Sequence, residues 1–388
     1  MAGRTRGAGL TLAVLGLYVH IPFCSAICNY CNFNRGLFDA DLKRRYVDAL
    51  VVEIAATGLV DHTEGADTIY FGGGTPSLLS ADDVSRIIGA CRSAFATAAD
   101  TEITLEANPE AVSVELLASF RAAGVNRLSF GVQSLRDDEL KRLSRLHGAA
   151  RARDAWAEAR AAGFDNVSLD LMMWLPQQTP AQWLESIDGA IGLTPDHVSL
   201  YMLEVYPNAP LRDEMARARW SQAPDEDAAA MYMEAMGRLE AAGLEQYEIS
   251  NVARPGRESR HNLKYWSDGE WFGFGCGAHS TRDGVRWKNQ SDTQEYIERT
   301  LGGDSARTEA HRLTGDERLG DALFTGLRLT AGLDLAEIDR RYQTSVWQRY
   351  GRELQPFVDE GILDHDASRL RLTRRGMLLA NEVMAVFV

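Results

Sequence analysis

The chain has 388 residues, 45% of them hydrophobic and 25% charged, with a formal net charge of −14. This is the composition of a soluble globular protein with room for one large domain and a smaller one. The acidic balance excludes nucleic acid as the main partner, because gripping phosphates needs clustered Lys and Arg, and no apolar run is long enough to span a bilayer.

The N-terminus, Arg4 and Arg6 ahead of Leu10 to Leu17, only faintly imitates a signal peptide and reads as a tail over 1–16. The strand-like run Tyr18-Val-His-Ile-Pro-Phe23 then leads into Cys24-Ser-Ala-Ile-Cys28-Asn-Tyr-Cys31, so three of the five cysteines share one loop. Three thiolates on a loop can hold three corners of a [4Fe–4S] cubane, and without a fourth nearby one iron stays open to a small molecule. A zinc knuckle would need a second ligand pair, and the sequence has no second C-x-x-C. Thiols that must stay reduced and hold iron fit the cytoplasm, the expected location.

Strand-like runs end near Ile21, Phe71, Glu106, Gly131, Leu171 and Leu203. Helical patterns fall at about 40–58, 81–96, 113–123, 136–162, 180–191 and 225–242. Ser80 with Asp83, and Thr179 with Pro180 and Gln182, mark two helix starts. Cys91 lies on the apolar stripe of the helix over 81–96 and is expected to be a core thiol. Six βα units imply a parallel sheet covered by helices: an α/β chain forming a partial (β/α)6 TIM-like barrel, with its chemistry where strands end.

The suspicious residues fall at those ends. Phe71-Gly-Gly-Gly-Thr-Pro-Ser77 offers backbone that a ligand can approach closely, or is a plain tight turn. Glu106 closes the third strand; its two oxygens suit a ribose diol, or else it caps the next helix. Gln133 ends the fourth strand, and Arg145 follows near a helix end, either pairing with a carboxylate or simply solvated. Asp170 brings an acidic group from the fifth strand to the same rim. Beyond about residue 300 the βα rhythm stops. A capping box at Thr314 and Glu317, helices at about 335–342 and 344–360, strands at 362–363 and 370–372 and a last helix from about 375 suggest a winged-helix-like domain over 301–388. It would serve as a lid or as a docking surface for a client.

Taken in order, Tyr18-Val-His-Ile-Pro-Phe-Cys24, the cysteine loop, Gly-Gly-Gly-Thr-Pro76, Gly-Val-Gln133, Arg145, Asp170-Leu and Leu175-Pro176 resemble the HemN-like radical S-adenosylmethionine (SAM) group. That group contains oxygen-independent coproporphyrinogen III oxidases and HemW-type heme chaperones, and the match runs from about Leu17 to the C-terminus. The resemblance implies that Cys24, Cys28 and Cys31 bind the cluster. It implies that Tyr18, Gly74 and Glu106 line one SAM site, and that Tyr30, Thr75, Pro76, Gln133, Arg145 and Asp170 line a neighbouring one.

Oxidases resemble C-x-x-x-C-x-x-C-x-C and carry a long N-terminal extension; here the extra cysteine is Phe33 and the tail is short, which favours the chaperones. Ser259-Arg-His261-Asn-Leu-Lys-Tyr-Trp266 resembles their H-N-x-x-Y-W block, in which the histidine is implicated in heme binding. Imidazole is a common heme ligand and Tyr265 and Trp266 would flank a flat macrocycle, although a lone His beside aromatics is more often a packing residue. His20, His147, His279 and His311 have weaker claims. Two positions depart from the pattern: Trp174 stands where relatives usually have glycine, which would narrow or reshape the cavity, and Cys276 stands where they often have proline.

The implied function is a heme chaperone that passes heme to an apo-hemoprotein, a respiratory client being one candidate. Membrane contact would come only through the client, and a homodimer is compatible. The rival is coproporphyrinogen III oxidation in porphyrin biosynthesis. A tRNA-modifying radical SAM enzyme would need a basic surface that this composition does not supply.

Overall fold

Alternation of apolar and polar residues builds the main sheet. The computed structural model describes residues 15–60, 65–366 and 368–388, so the expected tail lies outside the described residues up to position 14. In β1 (Leu15–Ile21) Leu15, Leu17, Val19 and Ile21 enter the main core, which leaves Tyr18 and His20 on the opposite face. The same two-residue period runs through β2 (Gly65–Gly73), β3 (Ala96–Ala107), β4 (Arg127–Gln133), β5 (Val167–Met173) and β6 (His197–Met202). These six pair in parallel, each with the next in sequence.

Their apolar face lies under helices that include α1 (Ala40–Val60), α2 (Ala81–Ala94) and α3 (Val114–Ala123), whose Leu50, Ile87 and Phe120 are fully buried in the same core. The inner face is polar and still buried, with Thr68, Thr104, Arg127, Ser129, Ser168 and His197 shielded from solvent. Such a face requires partners, and the site below is made of them.

The expected partial barrel is present and stays open. The sheet has twelve strands, and the six parallel ones form its middle. One flank adds β7 (Glu245–Glu248) and β8 (Asn251–Ala253), antiparallel next to β6. The other adds β9 (Trp271–Phe274) parallel to β1, followed by the antiparallel β10 (His279–Arg282), β11 (Val285–Asn289) and β12 (Arg307–Arg312). This second flank was not legible: β12 is an edge strand exposed along most of its length, so it carries no apolar alternation.

The anticipated capping boxes form at Ser80/Asp83, Thr179/Gln182 and Thr314/Glu317. The helix expected over 136–162 is instead two, α4 (Asp137–Arg142) and α5 (Ala149–Ala161). Ser144 takes a left-handed φ of 54° and Gly148 caps the second helix, so Arg145 sits in the break between them. A second core gathers Leu319, Leu323, Leu354, Leu370 and Val383 around a small antiparallel sheet, with β13 (Leu333–Asp334) and β14 (Leu363–His365) on either side of β15 (Arg369–Leu372). The buried carboxylate of Glu248 accepts from Arg328 at 3.0 Å and ties this unit to the main sheet. Among the described residues no helix is long and apolar enough to cross a membrane.

Glu53 on α1 anchors the β9 flank. Its buried carboxylate accepts from Tyr296 Oη at 2.6 Å, Asn289 Nδ2 at 2.6 Å and the Gly275 amide at 2.9 Å. Burial pushes its pKa up to about 7, the three donors opposing that rise. Folding therefore takes up a proton here; the contribution is full below the ordinary carboxylate range and is lost as pH rises through about 7. Glu53→Gln is expected to flatten the decline in anaerobic urea stability between about pH 5 and about pH 8. Parallel wild-type and variant slopes would contradict this account.

Candidate functional site

The cysteine loop leaves and re-enters the sheet at a fixed point. Phe23–Cys24 pairs in parallel with Gly36–Leu37, and the Phe38 amide donates to the Cys24 carbonyl at 2.9 Å. Between these ends the Cys31 amide turns back to the Cys28 carbonyl at 3.2 Å, and the Arg35 guanidinium donates to the Cys31 carbonyl. Buried Asn29 locks the outside of the loop by donating to the Arg142 carbonyl at 2.9 Å and to Glu214 at 2.8 Å.

The loop faces a cavity of about 380 Å³ at the C-terminal ends of the parallel strands. Cys24, Cys28, Cys31, Tyr30, Gly74, Thr75, Pro76, Glu106, Gln133, Arg145 and Asp170 all line it. These residues span 147 positions of sequence, and the βα order brings them together.

The glycine stretch packs directly against the cysteines. The amides of Gly74 and Thr75 donate to the Ile21 and Phe23 carbonyls at 2.7 Å each. A Cβ on Gly74 would stand 2.7 Å from the Phe23 carbonyl oxygen and 3.0 Å from Cys24 Sγ, so glycine is required by the approach itself. Thr75 Oγ1 donates to Cys24 Sγ at 3.7 Å and accepts from Asn108 Nδ2 at 3.0 Å. Arg145 completes the chain: its guanidinium donates to Asn108 Oδ1 and the Gly131 carbonyl, both at 2.7 Å, and reaches Cys28 Sγ at 3.5 Å. Asn108 is a site residue that sequence reading passed over; its only signal is an Asn-Pro turn directly after a strand end.

The donor set fits a cluster. Cys24, Cys28 and Cys31 are free thiols on one loop and line one cavity. A cubane, whose irons occupy separate corners, needs the thiolates spread apart. Burial pushes the Cys24 and Cys31 thiols up. Binding iron would deprotonate them, and the cationic Arg145 beside Cys28 offsets the charge gathered there.

The opposite wall is built for a polar organic ligand. Gln133 has φ +67°, and its amide oxygen is buried without a hydrogen-bond partner. A strained residue with an orphaned acceptor on a cavity wall suits a ligand that brings a donor. Glu106 accepts from Tyr70 Oη at 2.8 Å and from the Gly73 amide at 3.2 Å. Burial, and then the charge of Asp170, push its carboxyl up to about 7. Asp170 accepts from Ser129 Oγ at 3.1 Å and is also pushed up by burial. It sits in the middle of β5, deeper than the rim position read from the sequence.

Two of the singled-out residues lie elsewhere. Tyr18 lines an adjoining lobe, its hydroxyl sharing a hydrogen bond with His20 Nδ1 at 3.1 Å while His20 Nε2 meets the Asn34 carbonyl at 2.7 Å. His261 lines neither space. It belongs to α6 (Arg260–Trp266), a short helix seated on the inner face of the sheet, where Glu102 accepts from the Arg260 and His261 amides at 3.1 and 3.2 Å. The imidazole is 1% exposed, shares hydrogen bonds with Thr68 Oγ1 at 2.8 Å and Tyr265 Oη at 2.9 Å, and stacks on Tyr70. Burial, aided by Lys264 and Arg127, pushes it down to about 3, so it is neutral with both nitrogens engaged. In this structure both His261 nitrogens are engaged and the ring packs against the sheet.

The expected effect of Trp174 is also corrected. The residue takes φ +62°, a left-handed conformation that glycine adopts without cost, and its indole donates to the Ala223 carbonyl at 2.7 Å. It does not line the cavity and narrows nothing. Cys276 is a structural thiol, buried with Tyr46 Oη at 3.6 Å and Thr293 Oγ1 at 3.5 Å; Cys91 is buried in the main core. His147 is held by Glu110 and the Val132 carbonyl, and His311 by Glu317.

Comparison with known proteins agrees with this geometry. Residues 18–189 match the radical SAM superfamily, and residues 313–379 match the HemN C-terminal domain. The chain is 38% identical over 376 residues to the heme chaperone HemW of Bacillus subtilis (strain 168), which covers 96% of this chain and 98% of that one. It is 37% identical over 385 residues to the mitochondrial radical S-adenosyl methionine domain-containing protein 1 of Bos taurus, covering 95% and 86%. The solved structure of coproporphyrinogen III oxidase (HemN) from Escherichia coli superposes with a TM-score of 0.86 at 25% identity, over 97% of this chain and 90% of that one. With near-complete coverage at this identity, and with three loop thiols facing a cavity at the strand ends, the chain belongs to the HemW family of radical SAM proteins.

Proposed function

We propose that this protein is a heme chaperone that binds heme and hands it to an apo-hemoprotein, on a scaffold that holds a [4Fe–4S] cluster and SAM. The observation that carries the choice over an oxidase is Phe33, 64% exposed on the cavity wall, where the oxidase pattern has a further cysteine. The HemW relatives match the chain nearly end to end and support the same choice.

Cys24, Cys28 and Cys31 would hold the cluster, which when bound supplies a redox centre with one iron left for a small-molecule chelate. Arg145 and Thr75 steady the thiolates. Glu106 would accept from ribose hydroxyls and Gln133 from a further donor, with Tyr30, Gly74, Pro76 and Asp170 shaping the pocket and Tyr18 bordering it. Heme transfer takes place in the cytoplasm in this reading. The client, a respiratory hemoprotein among the candidates, is met by the C-terminal unit or the exposed rim. A homodimer is compatible with it.

Anaerobic assay of the reconstituted protein decides between the two readings. Hemin binding without conversion of coproporphyrinogen III to protoporphyrinogen is expected; sustained conversion would overturn the proposal. Glu106→Ala is expected to weaken SAM binding about tenfold, or about 1.4 kcal/mol, at unchanged iron content, as measured by equilibrium dialysis. Unaltered SAM affinity would remove Glu106 from the site.

A further inference from the structure

This inference rests on the heme-binding reading and asks which part of the molecule meets the heme. The cavity at the strand ends has a second lobe of about 750 Å³, open to solvent, with Asn32, Phe33 and Tyr206 common to both. The two lobes differ in charge. The first carries Glu106, Asp170 and Glu204 together with Arg35 and Arg145. Among the described residues lining the second there is one lysine, Lys288, and no carboxylate. The second lobe therefore offers a ligand carboxylate a cation with no competing carboxylate among its described lining residues.

The wall of the second lobe is aromatic, with Tyr18, Tyr265 and Trp271 on it. Trp271 stands edge-on to Tyr265, with ring centroids 4.6 Å apart and planes at 89°, and its indole donates to the His279 carbonyl at 2.9 Å. Trp271 is thereby fixed beside His279. On the next strand His279 pairs directly with Lys288, so the imidazole and the ammonium share one face of the sheet.

His279 is also chemically available. The other histidine on this wall, His20, uses both ring nitrogens, as does His261 beneath it. The His279 ring is exposed and has no hydrogen bond among the described residues. Burial on its inner side and neighbouring Lys288 push it below its ordinary pKa, which keeps a lone pair free at neutral pH.

We propose that heme docks in this second lobe with its ring against Trp271, that His279 rather than His261 offers nitrogen to the iron, and that Lys288 pairs with a propionate. The macrocycle then lies next to the cluster loop, against Asn32, Phe33 and Tyr206, which line both lobes.

The test titrates cluster-loaded protein with hemin and, separately, with iron-free protoporphyrin IX. His279→Ala is expected to lose the imidazole-ligated Soret band and about tenfold or more in hemin affinity, with free imidazole restoring the band and protoporphyrin affinity unchanged. Trp271→Ala and Lys288→Ala are expected to weaken both ligands. Folded His261→Ala, checked by circular dichroism, is expected to keep the wild-type band. Wild-type protein that binds no hemin overturns the chaperone reading together with this assignment. Hemin binding that is indifferent to His279→Ala, or a ligation band lost in His261→Ala alone, overturns the assignment and leaves the chaperone reading intact.

Discussion

Alanine at Cys24, Cys28 or Cys31 is expected to strip the protein of its cluster, taking iron after anaerobic reconstitution from about four per chain to a small residue. Three ligands already leave one iron without a protein thiolate, and a two-ligand site on a solvent-facing loop cannot compete with free sulfide and thiol. The loop itself is expected to survive, because its ends are pinned by Phe38 and Gly36 and its outer side by Asn29, none of which uses a sulfur atom. Loss of iron should therefore come with near-wild-type thermal unfolding of the apo forms. Gly74→Ala belongs to the same prediction, since its Cβ would enter the space of Cys24 Sγ while adding no ligand chemistry. Iron retained at wild-type level in any of the three cysteine variants would contradict this assignment of the ligands.

His261→Ala is expected to cost about 2–4 kcal/mol of stability, read as a fall in the urea midpoint. The substitution leaves the Thr68 and Tyr265 hydroxyls without their partner and opens a void against Tyr70 and Gly16, where the imidazole now sits. The site has little freedom to collapse, because α6 is held by Glu102 at its first amides and by Lys264 and Arg260 on Asp67. A change under about 0.5 kcal/mol, the range of ordinary surface substitutions, would contradict the packing role.

Much of the first lobe was legible because its chemistry is carried by short local patterns. The cysteine spacing, the glycine run and the acids near strand ends can be read residue by residue, and the parallel order of the strands then brings them to one cavity. The second lobe was not. Trp271, His279 and Lys288 come from three strands of four or five residues, too short for periodicity to announce them; only His279, after the glycine run Gly273-Phe-Gly-Cys-Gly277, was expected to border the cavity. His261 is the opposite case. The His-Asn-Leu-Lys-Tyr-Trp run is prominent in sequence, yet its helical spacing places His261 and Tyr265 on one face, where they bond to each other and to the sheet. A spacing of four along a helix says that two side chains meet; it does not say that they face a cavity.

The measurement that reaches the central claim most directly is electron paramagnetic resonance of the anaerobically reconstituted, reduced protein before and after SAM is added. If three loop thiolates hold a cubane with one iron open beside Gln133 and Glu106, the expected result is a [4Fe–4S] signal whose g-values shift on adding SAM. A cluster signal untouched by saturating SAM, or protein that takes up zinc and no iron–sulfur cluster, would contradict it.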